Sequence, residues 1–109
     1  MDWCQDRKGH WKRPESIYWT SNINKKYYPD LTCKNQHGTV IILEAETCSS
    51  LNHEHTKDQF SIFRAHATKL GGRFEVVVPK RCSGYDARNT ITQNAARWNI
   101  KLDTVWTPT

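Results

Sequence analysis

Residues 29–46 read PDLTCKNQHGTVIILEAE, and the register of this stretch decides the fold. Val40–Leu43 is apolar at every position, the pattern of a strand covered on both faces, and it predicts a strand over 39–47. Upstream, 27–34 (YYPDLTCK) is rich in aromatic and β-branched residues and reads as the partner strand. Between them, Asn35-Gln36-His37-Gly38-Thr39 suits a three-residue loop with Gly38 in the left-handed position of a G1 bulge. That loop pairs Asn35 with Thr39, and stepping back along both strands sets Asp30 opposite Glu44. Opposed residues share a face, with Cβ atoms about 4.5–5.5 Å apart. Glu46 follows two residues on, on the same face. A four-residue loop would set Leu43 opposite Asp30 instead, so the pairing hangs on the turn.

Two carboxylates at that distance repel, and partial burial raises the cost. Proteins tolerate such a pair mainly where a cation neutralises it. Donors that are all oxygen favour Mg²⁺ or Mn²⁺, which can also engage a phosphate. Hydrolysis of a phosphodiester is chemistry such an ion supports.

Working outward, 16–20 (SIYWT) predicts an earlier strand. A helix is expected at about 56–70, where Phe60, Phe63, Ala67 and Leu70 form one stripe. Thr56-x-x-Gln59 has the form of a capping box at its start, and Gly71-Gly72 is a ready stop. RFEVVV (73–78) predicts a strand closed by Pro79. A second helix is expected over 85–98, with Ile91, Ala95 and Trp98 on one face, then a short strand over 102–106. Residues 1–15 are polar, with Trp3 and Trp11, and suit a short helix or an arm. The order β-β-β-α-β-α-β predicts a single domain over 1–109, an α/β/α sandwich with a central mixed sheet flanked by helices.

Composition bounds the function. The chain has 109 residues, 37% hydrophobic and 25% charged, which fits one domain with a modest core. No apolar run approaches the roughly 18 residues of a membrane span, and the start MDWCQDRKGH lacks the apolar stretch of a secretory signal. The expected setting is therefore cytoplasmic, with reduced thiols and no membrane partner. Sixteen Lys and Arg against eleven Asp and Glu give a net charge of +5, compatible with contacts to nucleic-acid phosphates. Lys25, Lys26, Lys80, Arg81 and Arg88 are the candidate contacts. Cys4, Cys33, Cys48 and Cys82 show no Cys-x-x-Cys or zinc-finger spacing and are expected as thiols. Cys48 with His53 and His55 is the nearest approach to a zinc cluster, in a stretch that reads more simply as an exposed polar turn. Trp98 and Trp106 read as packing residues rather than base-stacking platforms.

The succession Pro29-Asp30, an apolar strand ending in Glu44-Ala45-Glu46, a helix with an early Gln, a Gly-rich stop, RFEVVV and a further helix resembles the PD-(D/E)XK nuclease superfamily over roughly residues 16–100. The resemblance implies a restriction-endonuclease-like fold and metal-dependent DNA cleavage. It implies that Asp30 and Glu44 are ligands of Mg²⁺ or Mn²⁺, with the Ala45 carbonyl a further contact. The motif lysine is replaced by Glu46, which becomes a further ligand or a general base. Lys57 is then a relocated lysine and Gln59 an orienting residue. Loss of that lysine is equally compatible with a non-catalytic DNA-binding or assembly module. Members usually begin with a helix that adds an acidic residue, for which Asp2, Asp6 and Glu15 are candidates, with His10 as an upstream histidine. A chain without that helix is a minimal member, one completed by a partner chain, or a fragment. Related junction-cleaving enzymes act as dimers, so a homodimer or larger complex on DNA is expected.

Overall fold

The computed structural model describes residues 17–19, 22–27 and 29–108. The helix or arm expected over 1–15, with Cys4, Asp2, Asp6, His10 and Glu15, lies outside the described residues. β1 (Ile17–Trp19) and β2 (Asn22–Tyr27) form an antiparallel hairpin of their own, which touches the first helix. The strand expected over 27–34 is divided at Pro29, whose nitrogen has no hydrogen to give a ladder. β2 ends at Tyr27 and β3 (Leu31–Lys34) begins after Asp30.

β3 pairs antiparallel with β4 (Val40–Ala45), running from Leu31 opposite Leu43 to Lys34 opposite Val40, the register that the loop predicts. The turn shows why. Gly38 has φ +81°, its N–H donates to the Asn35 carbonyl at 3.0 Å, and the Asn35 N–H donates to the Thr39 carbonyl at 3.0 Å. The Asn35 side chain accepts from the backbone of His37 and Thr39, which fixes the loop from within.

From β4 the chain passes through α1 (Glu54–Lys69) to β5 (Arg73–Val77), parallel to β4. A short ribbon, β6 (Arg81–Cys82) and β7 (Tyr85–Asp86), leads into α2 (Ala87–Arg97) and then β8 (Thr104–Trp106), parallel to β5. The result is a mixed α/β fold with a four-stranded sheet in the order β3-β4-β5-β8.

Both parallel connections step the same way across the sheet, from β4 to β5 to β8. Right-handed crossovers taken in one direction set their helices on one face. Ile42, Phe74 and Val76 of the sheet accordingly share one cluster with Phe60, Phe63 and Ala67 of α1 and Ala87 and Ile91 of α2. The expected sandwich had helices on both faces; among the described residues both lie on one. The opposite face carries Cys33, Ile41 and Leu43, with Leu31, Val77 and Trp106 against them. There the Glu75 carboxylate, 4% exposed, accepts from Arg73 Nε and Trp106 Nε1, each at 2.8 Å. Trp106 and Trp98 are thus packing residues, as expected.

Helix ends depart from expectation in detail. α1 starts at Glu54 with His53 in the capping position and no side-chain cap. Thr56 is buried inside the first turn, and its hydroxyl donates to the Ser50 carbonyl at 2.7 Å, so the Thr56-x-x-Gln59 capping box does not form. Leu70 caps the far end and is 48% exposed, outside the stripe it was expected to extend. α2 starts at Ala87, two residues later than expected, because Asp86 takes the cap and accepts from the Asn89 N–H.

Gly72 marks where α1 hands over to β5. A Cβ there would lie 2.3 Å from the Val40 carbonyl oxygen and 3.1 Å from its carbon, both backbone atoms of the central strand. Gly72→Ala is therefore expected to prise β5 from β4 and cost roughly 2–4 kcal/mol, the range of overpacked or strained core sites. Urea unfolding of the two proteins reads this directly. A cost under about 0.5 kcal/mol, the surface-substitution range, would show that the strands part freely here.

The thiol expectation is corrected. Cys48 and Cys82, 34 residues apart in sequence, form a disulfide, because the segments leaving β4 and β5 emerge side by side at the carboxyl edge of the sheet. Cys33 is buried in the sheet. Among the described residues no helix is long and apolar enough to cross a membrane.

Candidate active site

In open α/β sheets ligands bind outside the carboxyl ends of the strands. Glu44 and Ala45 close β4 at that end, and Asp30 sits beside them where β3 has not yet begun. Glu44 shares its face with Ile42 and points into the helix layer, 5% exposed.

The hairpin ladder ends in side chains here. The Asp30 N–H donates to Glu44 Oε1 at 3.1 Å, and the Ala45 N–H donates to Asp30 Oδ2 at 2.7 Å. The two carboxyl groups also stand near enough to share a hydrogen bond when one of them carries a proton. Burial first, then this bond and the negative charges of Asp30 and Glu46, push the Glu44 carboxyl up to about 10, against the opposing pull of the Asp30 N–H. In the absence of a cation Glu44 is protonated at neutral pH. Like charges have been placed where only a proton or another cation can reconcile them.

Glu46 is half-buried beyond the end of β4, its N–H bound to the Val77 carbonyl at 2.8 Å. Ser50 donates its hydroxyl to Glu46 Oε2. Burial pushes the Glu46 carboxyl above its ordinary value, the Ser50 bond works against this, and the charge of Asp30 adds to it. Ser50 in turn accepts from the Thr47 N–H at 3.0 Å, while its carbonyl is held by buried Thr56. Neither Ser50 nor Thr56 stands out in the sequence as part of a site. The only signal is a turn-forming run, Thr47-Cys48-Ser49-Ser50, directly after the acidic strand end.

The structure brings Asp30, Glu44 and Ala45 together, as the hairpin register requires, and Glu46 stands beyond them, bonded to Ser50. Within a strand the N–H and C=O of one residue point the same way, so the Ala45 carbonyl also faces the Asp30 side. Lys57 and Gln59 occupy the first turns of α1, which starts at this same edge, but neither bonds to Asp30, Glu44 or Glu46. Lys80 and Arg81 are exposed just past β5, and Arg88, exposed in the first turn of α2, reaches Thr107 Oγ1 at 3.4 Å. Arg81 is braced by the Gly84 carbonyl at 2.9 Å. Lys25 and Lys26 lie on β2, and their side chains fall outside the described residues.

Among the described residues no three His, Cys, Asp or Glu side chains converge as a metal-holding group. The zinc grouping of Cys48, His53 and His55 is overturned, since the Cys48 sulfur is committed to the disulfide. The acidic pair fits a hard divalent ion on different grounds. Mg²⁺ is commonly held by one or two carboxylates and keeps several waters, and two carboxylates with a facing carbonyl meet that need.

An open depression of about 520 Å³ lies at the other edge of the sheet, lined by Arg64, Thr68, Gly72, Lys101 and Asp103 among others. Its charges are spent on the fold. Asp103 accepts from the Phe74 N–H and pairs with Arg64, each at 2.8 Å, so it fastens the loop before β8 to β5. Comparison with protein-family models, with curated proteins and with solved structures found no match.

Proposed function

We propose that this chain is a Mg²⁺- or Mn²⁺-dependent DNA endonuclease that hydrolyses phosphodiester bonds on a restriction-endonuclease-like version of the mixed α/β fold. The observation that carries the reading is the Asp30–Glu44 pair. A buried carboxyl group, Glu44, and an exposed one, Asp30, are held against each other by backbone hydrogen bonds, at a cost in the metal-free protein. Asp30 and Glu44, with the Ala45 carbonyl, would hold the ion. When bound, it supplies positive charge against the charge that develops on the scissile phosphate. Glu46 keeps Oε1 clear of the Ser50 bond and, with its carboxyl raised above its ordinary value by burial, accepts a proton from the attacking water. Lys57 and Gln59 orient the phosphate from α1. Lys80, Arg81 and Arg88 track the backbone along the same sheet edge, and Lys25 and Lys26 extend that contact. A chain of 109 residues covers little duplex, so the active form is a homodimer or part of a larger complex.

Nicking of supercoiled plasmid and branched DNA with Mg²⁺ or Mn²⁺ tests the reading. Wild type is expected to cleave, and Asp30→Ala and Glu44→Ala are each expected to lose activity by about 10³-fold or more while still binding DNA, since a ligand that meets the developing charge is worth several kcal/mol. The second reading is a non-catalytic DNA-binding or assembly module. Glu46 in the lysine position, with Lys57 and Gln59 unbonded to the acidic pair, favours it. DNA bound equally by all three proteins, with no cleavage by any, would establish that reading instead.

A further inference from the structure

We propose that the Cys48–Cys82 disulfide is a redox latch on this site, holding the loop behind Glu46 and the basic ribbon together so that a dithiol reductant loosens both and turns the site off. The part about activity rests on the nuclease reading; the part about the loop does not.

Cys48 stands two residues past Glu46 in an exposed turn, and its sulfur lies 3.6 Å from the Arg81 carbonyl. Cys82 is 1% exposed and belongs to the main core. The bridge therefore joins the acidic strand end to the segment that presents Lys80 and Arg81. From Ser50 onward the loop has other anchors. Thr56 holds the Ser50 carbonyl, Leu51 is fully buried, and Asn94 of α2 donates to the Leu51 carbonyl at 2.9 Å. Apart from the Cys48 sulfur, residues 47–49 are exposed and hydrogen-bond only within the turn, to Ser49 and Ser50. Outside that turn, the bridge is what ties them down among the described residues.

Cutting the bridge thus frees a short stretch and leaves the helices and sheet with their own contacts. It reaches the site through Ser50, which accepts from the Thr47 N–H while donating to Glu46. A turn that swings open takes away the Thr47 contacts that steady the Ser50 hydroxyl over the carboxylate.

The chemistry is thiol–disulfide exchange. A thiolate of the dithiol attacks the exposed Cys48 sulfur, the Cys48–Cys82 bond breaks, and Cys82 leaves with the electron pair and takes a proton. The second thiolate of the reductant then displaces Cys48 from the mixed disulfide. Two electrons have passed to the protein, both cysteines end as thiols, and the dithiol ends as a cyclic disulfide. The exposure of Cys48 and burial of Cys82 fix which sulfur is attacked.

The test uses the full chain, oxidised in air, with the linked Cys48–Cys82 peptides identified by mass spectrometry of a non-reducing digest. Hydrogen exchange and plasmid nicking are then followed with and without excess dithiothreitol, beside Cys48→Ser, which leaves the buried cysteine in place. Reduction, and the variant without reduction, are expected to speed exchange at least tenfold over residues 46–49 and 80–86 and under twofold in α1 and β5. Cleavage should fall at least tenfold and return on reoxidation of the wild type alone. Linked peptides missing from the oxidised protein, or exchange over 46–49 that ignores reduction, overturn the latch. So does exchange that rises everywhere, which would make the bridge a staple of the whole fold. A loop that loosens while cleavage is untouched overturns control of the site. If the loop responds but neither state ever cleaves, the latch stands and the nuclease reading fails.

Discussion

Glu44→Gln is expected to give a metal-free protein more stable than the wild type at pH 8–9, and one that divalent cations no longer stabilise. The Glu44 carboxyl sits at about 10 in the folded chain against an ordinary 4.5. Between those values the folded state holds a proton that the unfolded state has released. Stability therefore falls as pH rises through the window, by at most about 1.4 kcal/mol per pH unit for one fully linked proton. Below pH 4.5 both states are protonated and the loss is absent. Glutamine copies the protonated form: its carbonyl can accept from the Asp30 N–H, its amide can donate to the Asp30 carboxylate, and nothing titrates. Urea unfolding in EDTA at pH 6, 7.5 and 9 should show a falling series for the wild type and a flatter one for the variant, the gap reaching a few kcal/mol at the alkaline end. Adding Mn²⁺ should stabilise only the wild type, by about 2.7 kcal/mol at a hundredfold excess over its dissociation constant. A variant that is the less stable protein at pH 9, or that answers Mn²⁺ as the wild type does, removes the argument for a cation at this pair.

Phe60→Ala should be the most damaging single truncation in the helix layer. The ring is fully buried and stands edge-on to Phe74 of β5 at 5.2 Å and to Trp98, at the end of α2, at 6.2 Å. One side chain thus joins α1, the sheet and the last turn of the second helix. Removing it deletes the transfer energy of the ring and leaves a cavity that three separately anchored elements cannot close. The expected loss is about 3–5 kcal/mol, and the melting temperature should fall on the order of 20 °C. Against a usual total of about 5–15 kcal/mol, that leaves a marginal protein. Phe60→Leu, which fills much of the space, should cost much less. Circular dichroism melts of the three proteins decide it, and a fall of under about 5 °C for alanine would mean that the helix layer collapses around the gap.

The sequence is most readable where a local rule leaves few choices. The β3–β4 register follows from five loop residues, one of them a glycine, and with it comes the Asp30–Glu44 pair. Phe60, Phe63 and Ala67 were legible because a helical period admits one buried stripe; Leu70 was not, because the helix is capped there and its side chain turns outward. Thr56 misled, since a buried threonine bonding backward to Ser50 looks in sequence like a cap. β6 and β7 are two residues each, too short for any period, although Ser83 and Gly84 with φ of +49° and +85° make the kind of turn that Ser-Gly suggests. The disulfide and the shared helix face depend on strand order. No spacing in the chain encodes that, so neither could be derived before the sheet was in view.

The separation of partners along the chain also sets a sequence of events in folding. Asp30 and Glu44 are 14 residues apart, whereas Cys48 and Cys82 are 34 apart and Arg64 and Asp103 are 39 apart. Loop closure favours the nearest pair, and hairpins form in about 1–10 μs. Emerging from a ribosome at about 5–20 residues per second, the acidic hairpin is complete seconds before the strand carrying β5 arrives beside it. The chain thus assembles the acidic hairpin before the layers that bury Glu44, while Asp30 and Glu44 are still in water and the repulsion is weak. Burial comes later, imposed by α1 and β5, and only then does the pair acquire its demand for a positive partner.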